Sequence, residues 1–555
     1  MAARKAAAGK VKNVLMIVGG AVHSYGPCAE AARRFIEASG RYRLTVAESF
    51  SALEAGFGRY AAVLIYTARD GMTARQEKVL VRFVRGGGGL VGVHGAAASF
   101  VDRPAWQKLL GCRVERGGPC RIAELEVRLT DRAHQAALRL DDFTLSEEFY
   151  ELADLAGDAH VVAETRWLDR AYPVMYAREE GEGRVFYTAL GHHERTWRLA
   201  EFQRSLLHGL DWACRVAPLR RAPVRCAMLG YGGAFNMGKA HSGYINDTGG
   251  GMLAVAACDI DPARRRQAKV EFPDFATYAD LDEMLAADDI DLVVNILPHS
   301  LHAPTALRCL RAGKHVVTEK PFCLTVAEAD EMIAAAEENG VMLTVFHNRR
   351  WDGDFMTIRR LIDEGAIGEV FEIACGFSRY GRPRDWWRSV KAVSGGNMYD
   401  WGAHFTDWTL QLIAHPVASV QGFFHKKVWM HCTNEDHTQA IIRFANGALA
   451  DICFSSISAA PRPRWRILGT KGAILDDGTV EKGGKLITYD GGTLTTREVK
   501  WAPSRWGEYY RNVADHLLLG DELIVKPQEA RRVIGVVEAA ERSSRSGRGE
   551  VFPGG

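Results

Sequence analysis

"NILPHSLHAPTALRCLRAGKHVVTEKPF", residues 295–322, reads as the end of a buried strand, a proline-histidine turn, a helix, a glycine stop and a second buried strand ending in Glu319-Lys320-Pro321. Short unbroken apolar runs alternating with helical periodicity mean a parallel sheet covered on both faces. Working outward, the alternation continues through "VRCAMLGYGG" (224–233), "MLAVAACDID" (252–261), "DIDLVVNILP" (289–298) and "VMLTVFHN" (341–348). Residues 224–347 are therefore expected to form a doubly wound, Rossmann-type domain. Beyond them the strands lengthen, as in "GEVFEIACGFSRY" (368–380) and "TQAIIRFANGALADICFSS" (438–456), where Asn446-Gly447 signals a hairpin turn. An open antiparallel or mixed sheet is expected within an α+β domain at 348–542, with helices at 506–519 and 527–541 and a poorly ordered tail, "SSRSGRGEVFPGG" (543–555).

Upstream, "VLMIVGG" (14–20), "YRLTVAES" (42–49), "YAAVLIYT" (60–67) and "GLVGVHG" (89–95), interleaved with helical patterns, predict another α/β domain with a parallel sheet at 11–216. "VAPLRRAPVR" (216–225) reads as the linker between the two regions. A chain of 555 residues with 47% hydrophobic and 25% charged residues is ordinary multidomain globular protein. Its net charge of +2, without like-charge blocks, argues against nucleic-acid or membrane-surface partners and for a small molecule. The eleven cysteines show no paired spacing, so reduced thiols and no metal are expected. Neither a signal-peptide pattern nor a long apolar span appears, and a cytoplasmic location is expected.

Two stretches carry chemistry. In "MLGYGGAFNMG" (228–238), Gly230, Gly232 and Gly233 permit the tight turn that brings backbone to a pyrophosphate, although Phe235 stands where a strict glycine pattern needs its third glycine. The next strand ends in Asp259, near the spacing at which a carboxylate meets the adenosine ribose; its charge repels a 2′-phosphate and favours NAD over NADP. In "SGGNMYDWGAHFTDW" (394–408), a helix starting near Asn397 puts Asp400, His404 and Asp407 within about 60° of one another on one stripe. Pro321 biases Lys320 toward an extended conformation at its strand end, where burial and the charge of an oxidised nicotinamide would favour the neutral amine and make it a base.

The glycine loop, Glu319-Lys320-Pro321 and the Gly395-Gly396…Asp400…His404 pattern, in this order, resemble the Gfo/Idh/MocA oxidoreductases over residues 224–542. "VFHNRRWDGDF" (345–355) and "KGAILDDG" (471–478) are further similar segments. The resemblance implies a nicotinamide-dependent sugar or polyol dehydrogenase whose open sheet makes homo-oligomer contacts. It also implies that Asp400 and His404 face Lys320 across the substrate, Asp400 orienting a hydroxyl and His404 sharing the proton relay. Pro298, His302 and Glu319 are placed beside the dinucleotide, and Asp407 is left with a helix-stabilising or supporting role.

In the N-terminal region, "GGGGLVGVHGAAASF" (86–100), "LSEEFYEL" (145–152) and "GEGRVFYTALGHHERTW" (181–197) resemble the trehalose-utilisation, ThuA-like family, related in fold to amidotransferases, over residues 11–216. The turn that carries a nucleophilic thiol in amidotransferases has His94 and no cysteine, so the site is expected to bind or act on sugar without a covalent intermediate. His23, His94, Glu148 and His192 are candidates for a second site at the strand ends. The combined expectation is an NAD-dependent enzyme oxidising a secondary hydroxyl, C3 of a sugar in the first place, fused to a sugar-processing or sugar-binding domain. A redox-neutral glycosidase working through a 3-keto intermediate and a sugar-sensing binding protein stay open.

Overall fold

The apolar runs become the inner strands of three sheets. The computed structural model describes residues 11–54, 56–69, 71–115, 121–217, 222–233 and 235–552, so residues 218–221 of the expected linker lie outside the described residues. The chain divides into two compact units, 1–219 with 520–522, and 220–519 with 523–555.

In the first unit five strands, Tyr42–Ala47, Lys12–Gly20, Tyr60–Ala68, Gly89–Val93 and Gly183–Thr188, lie side by side and parallel. Val63, Leu64, Ile65 and Tyr66 on the central strand are wholly buried, as a strand covered on both faces requires. Four antiparallel strands, Arg170–Glu180, His160–Trp167, Arg121–Leu129 and Phe143–Phe149, extend the same sheet beyond the parallel core. They bring Glu148, far from the parallel strands in sequence, to the histidine turns.

The second unit opens with six parallel strands in the order Ala276–Tyr278, Met252–Cys258, Val224–Leu229, Leu292–Asn295, His315–Thr318 and Leu343–Val345. The strand order reverses between Val224–Leu229 and Leu292–Asn295, and the crevice outside the carboxyl ends at such a switch point is where α/β sheets bind ligands. A nine-stranded sheet follows, antiparallel except where Val370–Ser378 pairs with Leu449–Ser455. Asn446-Gly447 turns the hairpin between His437–Phe444 and Leu449–Ser455. The tail differs from the sequence expectation. Helix Pro527–Ser546 runs to the end of that segment's first four residues, and Glu550–Val551 adds an edge strand beside Val417–His425. The hydroxyls of Ser543 and Ser544 accept the N–H groups of Gly422 and Phe424, so polar residues that look like a linker satisfy backbone donors of a strand. No helix among the described residues is long and apolar enough to cross a membrane.

Candidate functional site

At the switch point of the six-stranded sheet a cleft is lined by Gly230, Gly232, Gly233, Asp259, Pro298, His302, Glu319 and Lys320, with Trp386, Trp387 and Arg388 on its other side. Gly230, Gly232 and Gly233 have φ of 91°, 81° and 74°, a region that side chains with a Cβ rarely enter. A Cβ on Gly233 would meet nothing within 4 Å, so this backbone is bare toward the cleft. The loop leads into helix Met237–Asn246, and a Cβ on Gly238 would sit 2.5 Å from the Tyr231 ring. Gly238 therefore provides the close helix packing that Phe235 cannot, and the loop is longer than the strict pattern. Asp259 accepts the N–H of Tyr231 at 2.8 Å and of Asp261 at 2.9 Å, which holds its carboxylate at the edge of the glycine turn. A positive-φ glycine turn, a helix N-terminus and a carboxylate at the next strand end fit a nicotinamide dinucleotide.

Lys320 and Asp400 meet at the other end of the cleft. The Lys320 ammonium donates to the Asp400 carboxylate at 2.5 Å and to its carbonyl at 3.0 Å, and Arg388 grips the same carboxylate at 2.9 and 3.1 Å. Burial lowers the Lys320 pKa and the Arg388 charge adds to this, against the pull of Asp400. Burial alone would raise Asp400, yet Lys320 and Arg388 hold it far below the usual carboxylate range. Glu319 is likewise buried, but a hydrogen bond from His241 and the charges of His241 and Lys320 bring it down to about 2. Its two oxygens accept from the His241 ring at 3.1 Å and from the Lys320 N–H at 2.9 Å, while Tyr510 bonds the other His241 nitrogen at 2.7 Å. This chain anchors the backbone that carries the lysine.

The helix stripe divides. Gly396, at φ 108° and with Glu435 Oε2 2.6 Å from any Cβ it would carry, starts Asn397–Asp400, and Gly402–Leu412 continues it past Trp401. His404 is buried; burial first, then the charges of Lys320 and Arg349, push its imidazole well below the ordinary range and keep it neutral. Its Nδ1 and both ring nitrogens of His347, whose ring centroid lies 6.2 Å away, have no hydrogen-bond partner among the described residues. Asp407 turns elsewhere, into a two-pronged pair with Arg350 at 2.6 and 2.8 Å. His302 lines the cleft with its nitrogens against the carbonyls of Pro321 and Leu297 at 2.7 and 2.8 Å, bracing the turns on which Lys320 and Pro298 stand.

In the first unit His23, His94 and His192 follow the carboxyl ends of three parallel strands, and their ligating nitrogens come within 4.8 Å of one another. Glu148 Oε2 lies 3.0 Å from His94 Nε2 and 2.8 Å from His192 Nδ1. Burial, helped by the neighbouring His94 and His192, lowers the His23 pKa to about 4. All four sequence candidates thus converge.

Comparison with known proteins agrees with this geometry. Three family models match: trehalose utilisation at 13–213, the oxidoreductase family with NAD-binding Rossmann fold at 224–347, and the GFO/IDH/MocA C-terminal domain at 355–475. A scyllo-inositol 2-dehydrogenase (NADP(+)), IolW of Bacillus subtilis, is 30% identical over 350 residues, 59% of this chain and 95% of that protein. The chain belongs to the Gfo/Idh/MocA oxidoreductase family. It carries, in addition, a ThuA-like N-terminal domain. A trans-1,2-dihydrobenzene-1,2-diol dehydrogenase of Xenopus laevis is 32% identical over 228 residues, 40% of this chain and 66% of that protein. The solved structure of the Bacillus subtilis oxidoreductase yvaA superposes with a TM-score of 0.55 at 28% identity, covering 60% of this chain and all of that one.

Around this site the sequence reading names Lys320, Asp400 and His404 but passes over Arg388, His241, His299 and His347. Arg388 sits in "DWWRSV" (385–390), whose two tryptophans and exposed Phe235 surround its guanidinium at 5.0 to 5.5 Å. A cation within about 6 Å of aromatic ring centroids is attracted to their faces, which steadies the guanidinium that holds Asp400. Nothing local marks His299, whose ring bonds the Ser394 carbonyl at 2.8 Å and is pushed down to about 3 by burial.

Proposed function

We propose that the chain is an NAD-dependent dehydrogenase that oxidises a secondary hydroxyl of a sugar, disaccharide or polyol, C3 of a glucosyl unit in the first place. The observation that carries this reading is the Lys320–Asp400–Arg388 cluster at the carboxyl edge of the sheet, in the same cleft as the bare glycine turn. The dinucleotide, held by Gly230, Gly232, Gly233 and Asp259 with Pro298 and Glu319 alongside, supplies the hydride acceptor. Lys320, its pKa lowered by burial and by Arg388, takes the hydroxyl proton on Nζ from its neutral form as the carbon is oxidised. Asp400 stays ionised and orients that hydroxyl, while neutral His404, on the same helix stripe, shares the proton relay. Trp401, 37% exposed and with Lys320 Nζ 6.0 Å from its ring, offers the flat apolar surface on which a sugar ring rests. Homo-oligomer contact belongs to the same reading: Phe371, Phe377 and Phe423 on the nine-stranded sheet are each close to half exposed.

Incubation of the protein with NAD and a panel of sugars and polyols, following reduced nicotinamide and identifying the product, tests the proposal. A keto sugar formed in step with reduced nicotinamide supports it. Cleavage of a glycoside with no net reduction would replace it with a redox-neutral cycle.

The charge at the adenosine end supports the preference for NAD over NADP. Asp259 and Asp261 line that end with Arg264, which leans toward Asp261 at 3.9 Å, and Arg265 donates to the Asp259 carbonyl at 2.6 Å. The Asp259 carboxylate, held at the glycine turn where the ribose hydroxyls would lie, is the group that repels a 2′-phosphate. Asp259→Ser is expected to narrow the NAD preference on the order of 10-fold or more, read as the ratio of kcat/KM with the two cofactors. Equal use of NADP by the unsubstituted protein would sink the assignment.

A further inference from the structure

We propose that the first unit binds one divalent transition-metal cation of the zinc type through His23, His94, His192 and Glu148. His94 Nδ1 lies 2.7 Å from the Ala189 carbonyl, an acceptor only, so Nδ1 donates there and Nε2 is the ring nitrogen left to the cluster. Nε2 lies 3.0 Å from the Glu148 carboxylate and 3.3 Å from His192 Nδ1. Three ligand-type atoms from three separate side chains thus gather around one point, the arrangement a bound cation requires. His23 adds a third imidazole, its centroid 4.9 Å from His94 and 4.7 Å from His192, and neither of its ring nitrogens has a hydrogen-bond partner among the described residues.

The spacing suits a metal. With bonds of about 2.0–2.1 Å, a tetrahedral cation keeps its donor atoms about 3.3 Å apart, close to the 2.8, 3.0 and 3.3 Å found among Glu148, His94 and His192. The donors are also held as metal ligands are held. His94 gives its other N–H to a carbonyl, and its ring is stacked on Tyr150 at 4.2 Å. Glu147, wholly buried, accepts the N–H groups of Gly191 and His192 and the hydroxyl of Thr196, which fixes the turn that presents His192. His94 adopts φ 45°, a left-handed conformation unusual outside glycine and asparagine, at a wholly buried position. Imidazoles with one carboxylate select zinc and its first-row neighbours over magnesium or calcium, which take oxygen ligands.

The set carries one negative charge, so a bound dication keeps a net positive charge. The side chains of Glu148 and His192 are 16% and 17% exposed, which leaves the cation a face toward solvent. There it would polarise the oxygen of a water, a hydroxyl or a carbonyl. This site departs from the expectation of no metal because its ligands come from four separated segments, with none of the short spacings that mark a metal motif.

The test uses the full chain, stripped with a chelator, reloaded with zinc or cobalt chloride and desalted. Elemental analysis is expected to find about one equivalent per chain. His94→Ala, His192→Ala and Glu148→Gln are each expected to weaken zinc binding, the histidine variants by more than the roughly 100-fold upper range seen when only a supporting residue is lost. NAD binding, read by calorimetry, is expected to be unchanged in all three, which separates this proposal from the dehydrogenase reading. Where a variant fails to fold, the cobalt-loaded unsubstituted chain decides, through paramagnetically shifted imidazole N–H signals, one for each histidine ligand. Zinc absent after reloading, retained equally by a folded His94→Ala, His192→Ala double variant, or bound without imidazole signals would overturn the proposal and leave a proton shared by His94 and Glu148 in its place.

Discussion

Lys320→Met is expected to lower turnover by at least ~10², the ordinary contribution of a positioned general base, while leaving dinucleotide binding intact. Among the described residues the glycine turn and Asp259, proposed to hold the dinucleotide, make no hydrogen bond to the lysine side chain, which donates to Asp400. Methionine keeps the length and apolar stem, so the loss registers in kcat rather than in the affinity for NAD. The pH profile gives an independent reading. A lysine base acts only when neutral, so oxidation accelerates as pH rises through its pKa, and burial with Arg388 beside it places that midpoint below the ordinary lysine range. The ascending limb is expected to disappear in Lys320→Met. Near-normal turnover in the variant, measured with saturating NAD, would remove Lys320 from the mechanism.

Asp407→Ala is expected to destabilise the second unit by about 3–5 kcal/mol, the cost of leaving a buried charge without its partner. The side chains of Arg350 and Asp407 are only 5% and 3% exposed, and the guanidinium uses two nitrogens on this carboxylate. Its third nitrogen keeps the partly exposed Glu529 at 2.8 Å and the Ile524 carbonyl at 2.9 Å in the variant, so the guanidinium is not left wholly unpaired and the loss falls at the low end of that range. Asp407→Asn keeps the hydrogen-bonding shape but not the charge and is expected to lose less. Denaturant titration of both variants measures the difference, and an unchanged midpoint for Asp407→Ala would show the pair to be dispensable.

Asp407 also shows how far a helix pattern can be read. Its position relative to Asp400 and His404 is set by helix geometry, so the stripe was visible from spacing alone. Whether a residue on that stripe meets substrate or an arginine depends on what the chain places opposite it, and Arg350 lies 57 positions upstream. The paired glycines before the helix were legible for the opposite reason. Positive φ and the crowding of Glu435 act on the backbone at Gly396 itself. The glycine loop was legible in the same way, and only its length needed Tyr231 and Gly238 in contact to be explained.

The sequence by itself determined the two parallel α/β regions, the later mixed sheet, the hairpin at Asn446-Gly447, the dinucleotide turn and the order of the family's motifs. Each of these is written in periodicity or in the backbone freedom of single residues, which act over a few positions. Tertiary structure alone decided that Lys320 and Asp400, 80 positions apart, share one ion pair with Arg388, and that His94 meets His192 across 98 positions beside Glu148. It also decided that the polar tail would cap strand N–H groups rather than fray. Such contacts depend on which strand ends the sheet order brings together, and strand order is set by packing of the whole unit, which no local pattern records.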